Sequence, residues 1–301
     1  MISTFKRFLT AGVEVVIGTP PLQGISVRNL DSSGLLIEWE VMLTNTSSSD
    51  SAKVRIVNLD ELEQIPILEK LAGRIGAFGV TGTISFGWEG LVFECFTGKI
   101  SRIIPKIPTG VDYVSEIEFN SMAGRTLNAP SLGYELDQAL WSAAFDALAA
   151  SMGFSLSPQF YTALAANPVA TTNTTVKAAF GDSPKSDMDT LVSSLGAGYT
   201  WTVIGNQIYL LNQGLFQDRT PPQILSAESG LLNWSPLDEG GAVADALGNP
   251  SVKPGQQILI QNNQGQLVGG APLRVESVSF RGATNVGCTM QIVARKQKLL
   301  V

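Results

Sequence analysis

Apolar and polar positions alternate through much of residues 12–122. In LLIEWEV, Ile37, Trp39 and Val41 fall on one side of an extended chain and Glu38 and Glu40 on the other. SEIEF repeats the pattern, with Ile117 and Phe119 opposite Glu116 and Glu118. A period of two with one apolar side predicts strands that have one buried and one wet face. GVEVVIG, GISVRN, AKVRIVNL, VTGTISFGW and LVFECFTGKISRII are further short runs of Val, Ile, Phe and Trp, bounded by Gly, Pro, Asn, Asp and Ser, and they read as strands too. TNTSSSDSA (44–52) is a polar, hairpin-like loop. DELEQIPILEKLAG (60–73) predicts one short helix, weakened at Pro66 and stopped by Gly73. Its Asp60, Glu61 and Glu63 serve the helix N-terminus, where negative charge is favourable. The glycines of GRIGAFGVTG predict a turn into the next strand. Many strands with one inserted helix predict a closed or nearly closed barrel.

Residues 127–215 change period. In YELDQALWSAAFDALAASMGF, Leu136, Leu140, Ala144, Leu148 and Met152 recur every four residues beside Trp141 and Phe145. This predicts an amphipathic helix ending at Gly153. A loose stretch follows at 163–175. SDMDTLVSSLGAG then predicts a helix with Ser186 and Asp189 as a capping box and Gly196 as its stop. YTWTVIGNQIYLLNQG predicts a hairpin turning at Gly205-Asn206. Residues 216–301 return to strands (AVADAL, QQILIQN, APLRVESVSFRG, GCTMQIVAR). The expected class is mainly β with an α+β insert: a β-barrel domain at 1–126, a small α+β module at 127–215 and a second β-barrel domain at 216–301.

Composition narrows the chemistry. The chain has 20 Lys+Arg, 26 Asp+Glu and no histidine. That excludes a Ser-His-Asp triad, a Cys-His pair and any zinc site that needs histidine. Two cysteines cannot form a Cys₄ site in one chain. A net charge of −6 argues against a protein that coats nucleic acid, which needs a basic face. Cys95 and Cys288 sit in apolar, strand-like surroundings and read as two separate buried thiols; a disulfide between them stays open. The first residues, MISTFKRFLTAGVEVVIGT, read as mature sequence rather than a signal peptide, because Glu14 interrupts the apolar run. No stretch has the 18 or more apolar residues of a membrane span, and no membrane binding is expected.

Glu38 with Glu40 and Glu116 with Glu118 are same-face carboxylate pairs. Their spacing permits glycosidase chemistry if two carboxylates face across a cleft, but a plain solvent-facing strand accounts for them, because the i,i+2 alternation needs no further cause. Asp187-Met-Asp189 has D-x-D spacing without the glycine and distal glutamate of a calcium loop. No phosphate loop, dinucleotide fingerprint or nucleophile elbow is present. The basic tail Arg295-Lys296-Gln297-Lys298 reads as a solvated terminus. No catalytic, cofactor or metal site is expected.

Two segments carry a resemblance. KVRIVNLDELEQIPILEKLAGRIGAFGVTGTISFGWEGLVFECFTGKISRI (53–104) has a strand ending in Asn-Leu, a short helix and strands leading to Phe-Thr-Gly-Lys-Ile. SGLLNWSPLDEGGAVADALGNPSVKPGQQILI (229–260) has Ser-Gly-Leu-Leu, a Pro-containing turn and Leu247-Gly248-Asn249-Pro250 running on to Pro254-Gly255. Together with the middle module LVSSLGAGYTWTVIGNQIYLL, this order resembles the phage baseplate or tail hub proteins of the late control protein D type, with tail-tube-type barrels. The resemblance implies a homotrimer in which two barrels per chain make a pseudo-sixfold ring. That ring would join the hexameric tail tube protein to the central spike or tip protein, beside neighbouring baseplate proteins. It also implies a place in the virion tail tip, assembled in the host cytoplasm, with no catalytic residues and no cofactor. DNA would pass the channel without specific binding, and Glu38, Glu40, Glu116 and Glu118 are the candidates to line it. The alternatives are another multimeric β subunit, of a tail tube or fibre attachment, or a carboxylate-based cell-wall glycosidase.

Overall fold

The computed structural model describes residues 11–18, 24–29, 35–44, 50–75, 80–88, 91–121, 133–181, 183–204, 207–212, 215–216, 222–262, 264–268, 270–284 and 286–296. The first β segment supplies β1 (Ala11–Ile17), β2 (Ile25–Asn29), β3 (Ile37–Thr44), β4 (Ser51–Val57), β5 (Thr81–Trp88), β6 (Leu91–Thr109) and β7 (Asp112–Ser121), with helix α1 (Gln64–Ala72) between β4 and β5. The alternation in sequence is an alternation of burial. Along β3, Ile37, Trp39, Val41 and Leu43 are buried while Glu38, Glu40 and Met42 are exposed. Helix α1 buries Ile65, Leu68 and Leu71, one apolar stripe at helical spacing. The Asp60 carboxylate accepts from the backbone N–H of Leu62 and Glu63 ahead of this helix. Pro66 falls in the first turn, where its missing N–H forfeits no helical bond, so it opens the helix rather than weakening it.

The middle segment holds β8 (Tyr134–Leu140), α2 (Trp141–Ser151), β9 (Ser155–Leu156), α3 (Pro158–Ala165), α4 (Pro168–Thr172), β10 (Thr175–Phe180), α5 (Pro184–Ser193), β11 (Tyr199–Ile204), β12 (Gln207–Asn212) and β13 (Leu215–Phe216). Three expectations are corrected. The helix expected from Tyr134 begins at Trp141, because residues 134–140 pair antiparallel with β10; pairing overrides a four-residue spacing that only Ala144, Leu148 and Met152 use helically. The stretch expected to be loose holds α3, which runs into it, and the short α4. Ser157 and Asn167 cap these helices by accepting from the N–H groups of Phe160 and Ala170, each followed by proline at the first helical position. Helix α5 likewise is capped by Ser183, which accepts from Ser186 N–H, so Ser186 lies inside the helix. Strands β11 and β12 form the expected antiparallel pair, and the expected turn at 205–206 lies outside the described residues.

The last segment supplies β14 (Gln223–Leu225), β15 (Leu231–Leu237), β16 (Gly241–Leu247), β17 (Gln257–Ile260), β18 (Leu273–Ala283) and β19 (Gly287–Lys296). Among the described residues, strands of the first and last segments form one 13-stranded sheet along the path β15-β16-β19-β18-β3-β4-β7-β6-β5-β1-β2, with β14 and β17 off that path. The seam is the antiparallel pairing of β18 with β3. At its end the buried Thr284 accepts from Ile37 N–H, donates its own N–H to the Ile37 carbonyl, and donates its hydroxyl to the Leu35 carbonyl.

One hydrophobic core serves both β segments, from Val15 to Phe119 and from Leu225 to Ala294. Phe86 packs between Trp39 and Phe280, with ring centroids 6.0 and 5.2 Å away. Gly282 lies directly across from Trp39, where any Cβ would overlap the indole ring. A second core, Trp141 to Leu210, belongs to the middle segment and is centred on Phe145 and Phe160, 4.9 Å apart edge to face. Cys95 and Cys288 are both buried and free. Among the described residues, no helix is long and apolar enough to cross a membrane.

Candidate functional site

The four candidate carboxylates converge on one face. Strand pairing sets Glu38 opposite Arg55 and Glu40 opposite Lys53. It sets Arg55 opposite Glu116 and Lys53 opposite Glu118. The row continues on both sides, with Arg281 of β18 opposite Glu40 and Arg102 of β6 opposite Glu118. Five neighbouring strands thus carry Arg281, Glu40, Lys53, Glu118 and Arg102 in a line of alternating sign. Cross-strand opposite charges of this kind attract, whereas like charges would repel.

The contacts follow the register. Arg281 reaches Glu40 at 2.8 Å. Lys53 reaches Glu116 at 2.9 Å and Glu118 at 3.5 Å. Arg55 Nε donates to Glu116 at 3.0 Å, and Arg102 lies 3.7 Å from Glu118. Glu116 is not the plain solvent-facing carboxylate its strand position predicts. It is only 6% exposed, roofed by Lys53 and Arg55. The hydrogen bond from Lys53, reinforced by Arg55, outweighs burial and holds its carboxyl below the ordinary glutamate value. A carboxylate held ionised in this way has the wrong tendency for a glycosidase general acid, whose pKa must be raised. The four bases of this face went unremarked in the sequence. The only signal was their place at the polar positions of AKVRIV, ISRII and SFRG.

An open concavity of about 530 Å³ lies over this face, with Glu38, Glu40, Lys53, Arg55 and Arg281 around it and Trp39 and Gly282 at its floor. A second cavity sits where all three segments meet, lined by Thr44, Asp50, Cys95, Val203, Gln207 and Lys253. There Asp50 accepts hydrogen bonds from the backbone N–H and hydroxyl of Thr44. Burial pushes its carboxyl up to about 6 against those bonds and the nearby Lys253. Lys253 spans the junction by donating to the Cys95 carbonyl at 3.0 Å.

The remaining expected residues have structural places. Asp187 is buried in α5 and accepts from Gly181 N–H at 3.3 Å, and Asp189 accepts from the Trp201 indole at 2.7 Å, so the D-x-D pair serves two separate contacts. Arg295 of the basic tail pairs with Glu276 at 2.9 Å, and positions 297 and 298 lie outside the described residues. Among the described residues, no group of three or more acidic or cysteine side chains is placed to hold a metal ion.

No family model matches the chain, and comparison with curated proteins gives no match. Solved structures do match. The 43 kDa tail protein of prophage MuSo2 from Shewanella oneidensis superposes with a TM-score of 0.60 at 9% identity, covering 94% of this chain and 97% of that one. A tail protein from Neisseria meningitidis MC58 gives 0.60 at 11% identity, covering 95% and 97%. An E. coli type VI secretion component, described as structurally similar to the T4 bacteriophage tail proteins gp27 and gp5, gives 0.51 at 8% identity, covering 88% and 73%. The chain has the mainly β fold of these proteins, with its large antiparallel sheet.

Proposed function

We propose that the chain is a structural subunit of a phage or phage-like tail, the hub at its distal end, where three copies form a ring between a hexameric tail tube and the central spike or tip. The observation that carries this reading is the β18–β3 seam. It lays eight neighbouring strands, β15 to β6, into one sheet with a shared core behind it and a wet, charged face in front. A chain that contributes two β units, 1–126 and 216–301, to one surface lets three copies present six similar units to a sixfold partner. The α+β module, 127–215, is the third unit. The tail-protein fold of the structures matched over nearly all of the chain supports the same role.

In this reading the face bearing Glu38, Glu40, Glu116 and Glu118 lines the channel. It is charge-balanced rather than acidic, since Lys53, Arg55, Arg102 and Arg281 interleave with those acids. A face whose bases already hold carboxylates has few cations free to release counterions from a phosphate backbone, and DNA slides past it. Electron microscopy of the intact particle tests the proposal. A threefold ring of this chain at the tail tip is expected. A sixfold ring would assign it to the tube instead, and a monomer bound to the particle surface would overturn the hub.

A further inference from the structure

The end of the sheet opposite the Leu43–Asp50 end, which adjoins the α+β module, presents exposed apolar tips beside acidic residues. Val111, in the β6–β7 turn, is fully exposed, and Leu62, ahead of α1, is 89% exposed. Both turns are fastened together. Asn58 donates to Asp112 at 2.8 Å, Tyr113 hydroxyl donates to the Leu59 carbonyl, and Lys106 reaches Glu61 at 2.6 Å while lying over the Tyr113 ring. Two large apolar side chains on so tied a platform are held in water by design of the local contacts, not by looseness. Val286, 62% exposed in the β18–β19 turn, reaches the same end three strands away, roughly 14 Å by ordinary strand spacing.

Among the described residues, the exposed ionic groups beside Leu62 and Val111 in these turns are Asp60, Glu61, Glu63 and Asp112, with Lys106 bound to Glu61. Lys106 is committed to Glu61, whose hydrogen bond raises its pKa. This charge selects the occupant. A second copy docked head to head would set these acids against their own equivalents, which is unfavourable. Head-to-tail stacking on a second copy meets the other end of the sheet, where Val203 and Gln207 of the middle module adjoin Leu43, Thr44 and Asp50.

We infer that this end docks a different protein subunit, one whose contact surface offers apolar sockets rimmed by Lys and Arg. The inference rests on the tail-assembly reading above and names the chemistry of one axial partner. Leu62 and Val111 act as the buried anchors of that contact and the acids as its complementary rim.

The test places photoreactive benzoylphenylalanine at position 111, and separately at 62, in chains assembled into intact particles, followed by irradiation and identification of the linked peptide. The expected product is a peptide of a different protein that carries Lys or Arg beside apolar residues. A peptide of this chain, an acidic peptide, or no cross-link overturns the inference. Glu63→Lys tests the rim, because Glu63 makes no side-chain cap to α1; the variant should fold, which its circular dichroism spectrum checks. About a tenfold loss of assembled tails is expected, one decade being about 1.4 kcal/mol; undiminished assembly overturns the charge complementarity. Imaging the same particles separates the two readings. If the chain sits in the tip ring but the cross-link fails, only this inference falls; if the chain is absent from the tip, the hub reading falls.

Discussion

Thr284 and Ile37 exchange backbone and side-chain hydrogen bonds across 247 positions of sequence. This pair closes the end of the β18–β3 seam, on which the joining of the two β segments depends. The hydroxyl also serves the Leu35 carbonyl at 2.9 Å, so one buried side chain satisfies two backbone groups of the other segment. Thr284→Val keeps the shape and removes the hydroxyl that accepts from the buried Ile37 N–H. It should lower stability by about 1–3 kcal/mol, the cost of one buried unsatisfied group. Urea unfolding reads this as a lower midpoint at unchanged slope. Thr284→Ser, which retains the hydroxyl, should recover most of the loss; equal loss in both variants would place the effect in packing.

Glu116 gives the charged face its pH dependence. Its pKa is lowered in the folded chain, chiefly by Lys53, so its contribution is complete above the unfolded value of about 4.3 and fades as pH falls through the lower folded value. Glu116→Gln should therefore destabilise by about 1 kcal/mol at pH 7, a modest figure because Lys53 and Arg55 are partly exposed to solvent screening. The gap between variant and wild type should narrow as pH falls below about 4 in unfolding curves. A gap independent of pH would refute the ionic account.

Asp50 has the opposite sign. Its folded pKa is raised to about 6, so folding is favoured below the unfolded value of about 3.9 and loses ground as pH rises to the folded value. Asp50→Asn keeps the oxygen that Thr44 bonds and removes the buried charge. Relative to wild type it should gain stability progressively between about pH 4 and 6, reaching about 3 kcal/mol at pH 7. Thermal unfolding at several pH values measures the trend, and a pH-independent difference would contradict it.

Cys95 and Cys288 should be silent thiols. Burial raises both, Cys95 to about 12, and reactivity belongs to the exposed thiolate. Native protein should take up essentially no thiol reagent over minutes at pH 8, whereas denatured protein should take up two equivalents without reductant. Uptake of none after unfolding would reveal a disulfide.

Much of this was legible along the chain. The two-residue alternation of LLIEWEV and SEIEF gave β3 and β7 with their buried faces, because a strand in a one-sided sheet must separate its side chains that way. The β runs after residue 240 appear as β16 to β19 for the same reason. Ser157-Pro158, Asn167-Pro168 and Ser183-Pro184 are three helix starts written in the sequence, a capping side chain followed by proline. Two of them fell in or beside the stretch read as loose. Tyr134–Leu140 pairs as a strand although its apolar spacing is helical, because a spacing of four residues can continue by chance through a strand.

Local periodicity within each strand sets which residues point to the core side and which to the polar side, whereas the burial of Glu116 on the polar side comes from Lys53 and Arg55 on the neighbouring strand. The sequence by itself also ruled out histidine chemistry outright. Which strands become neighbours was decided only by tertiary structure. Pairing β18 with β3 is a nonlocal event, without which Glu40 has no Arg281 and Ile37 has no Thr284. The four carboxylates looked like an acidic surface when read one strand at a time. Side by side with Lys53, Arg55, Arg102 and Arg281 they form a neutral one, because the sign of a sheet face is set by the residues across each ladder rather than by those along a single strand.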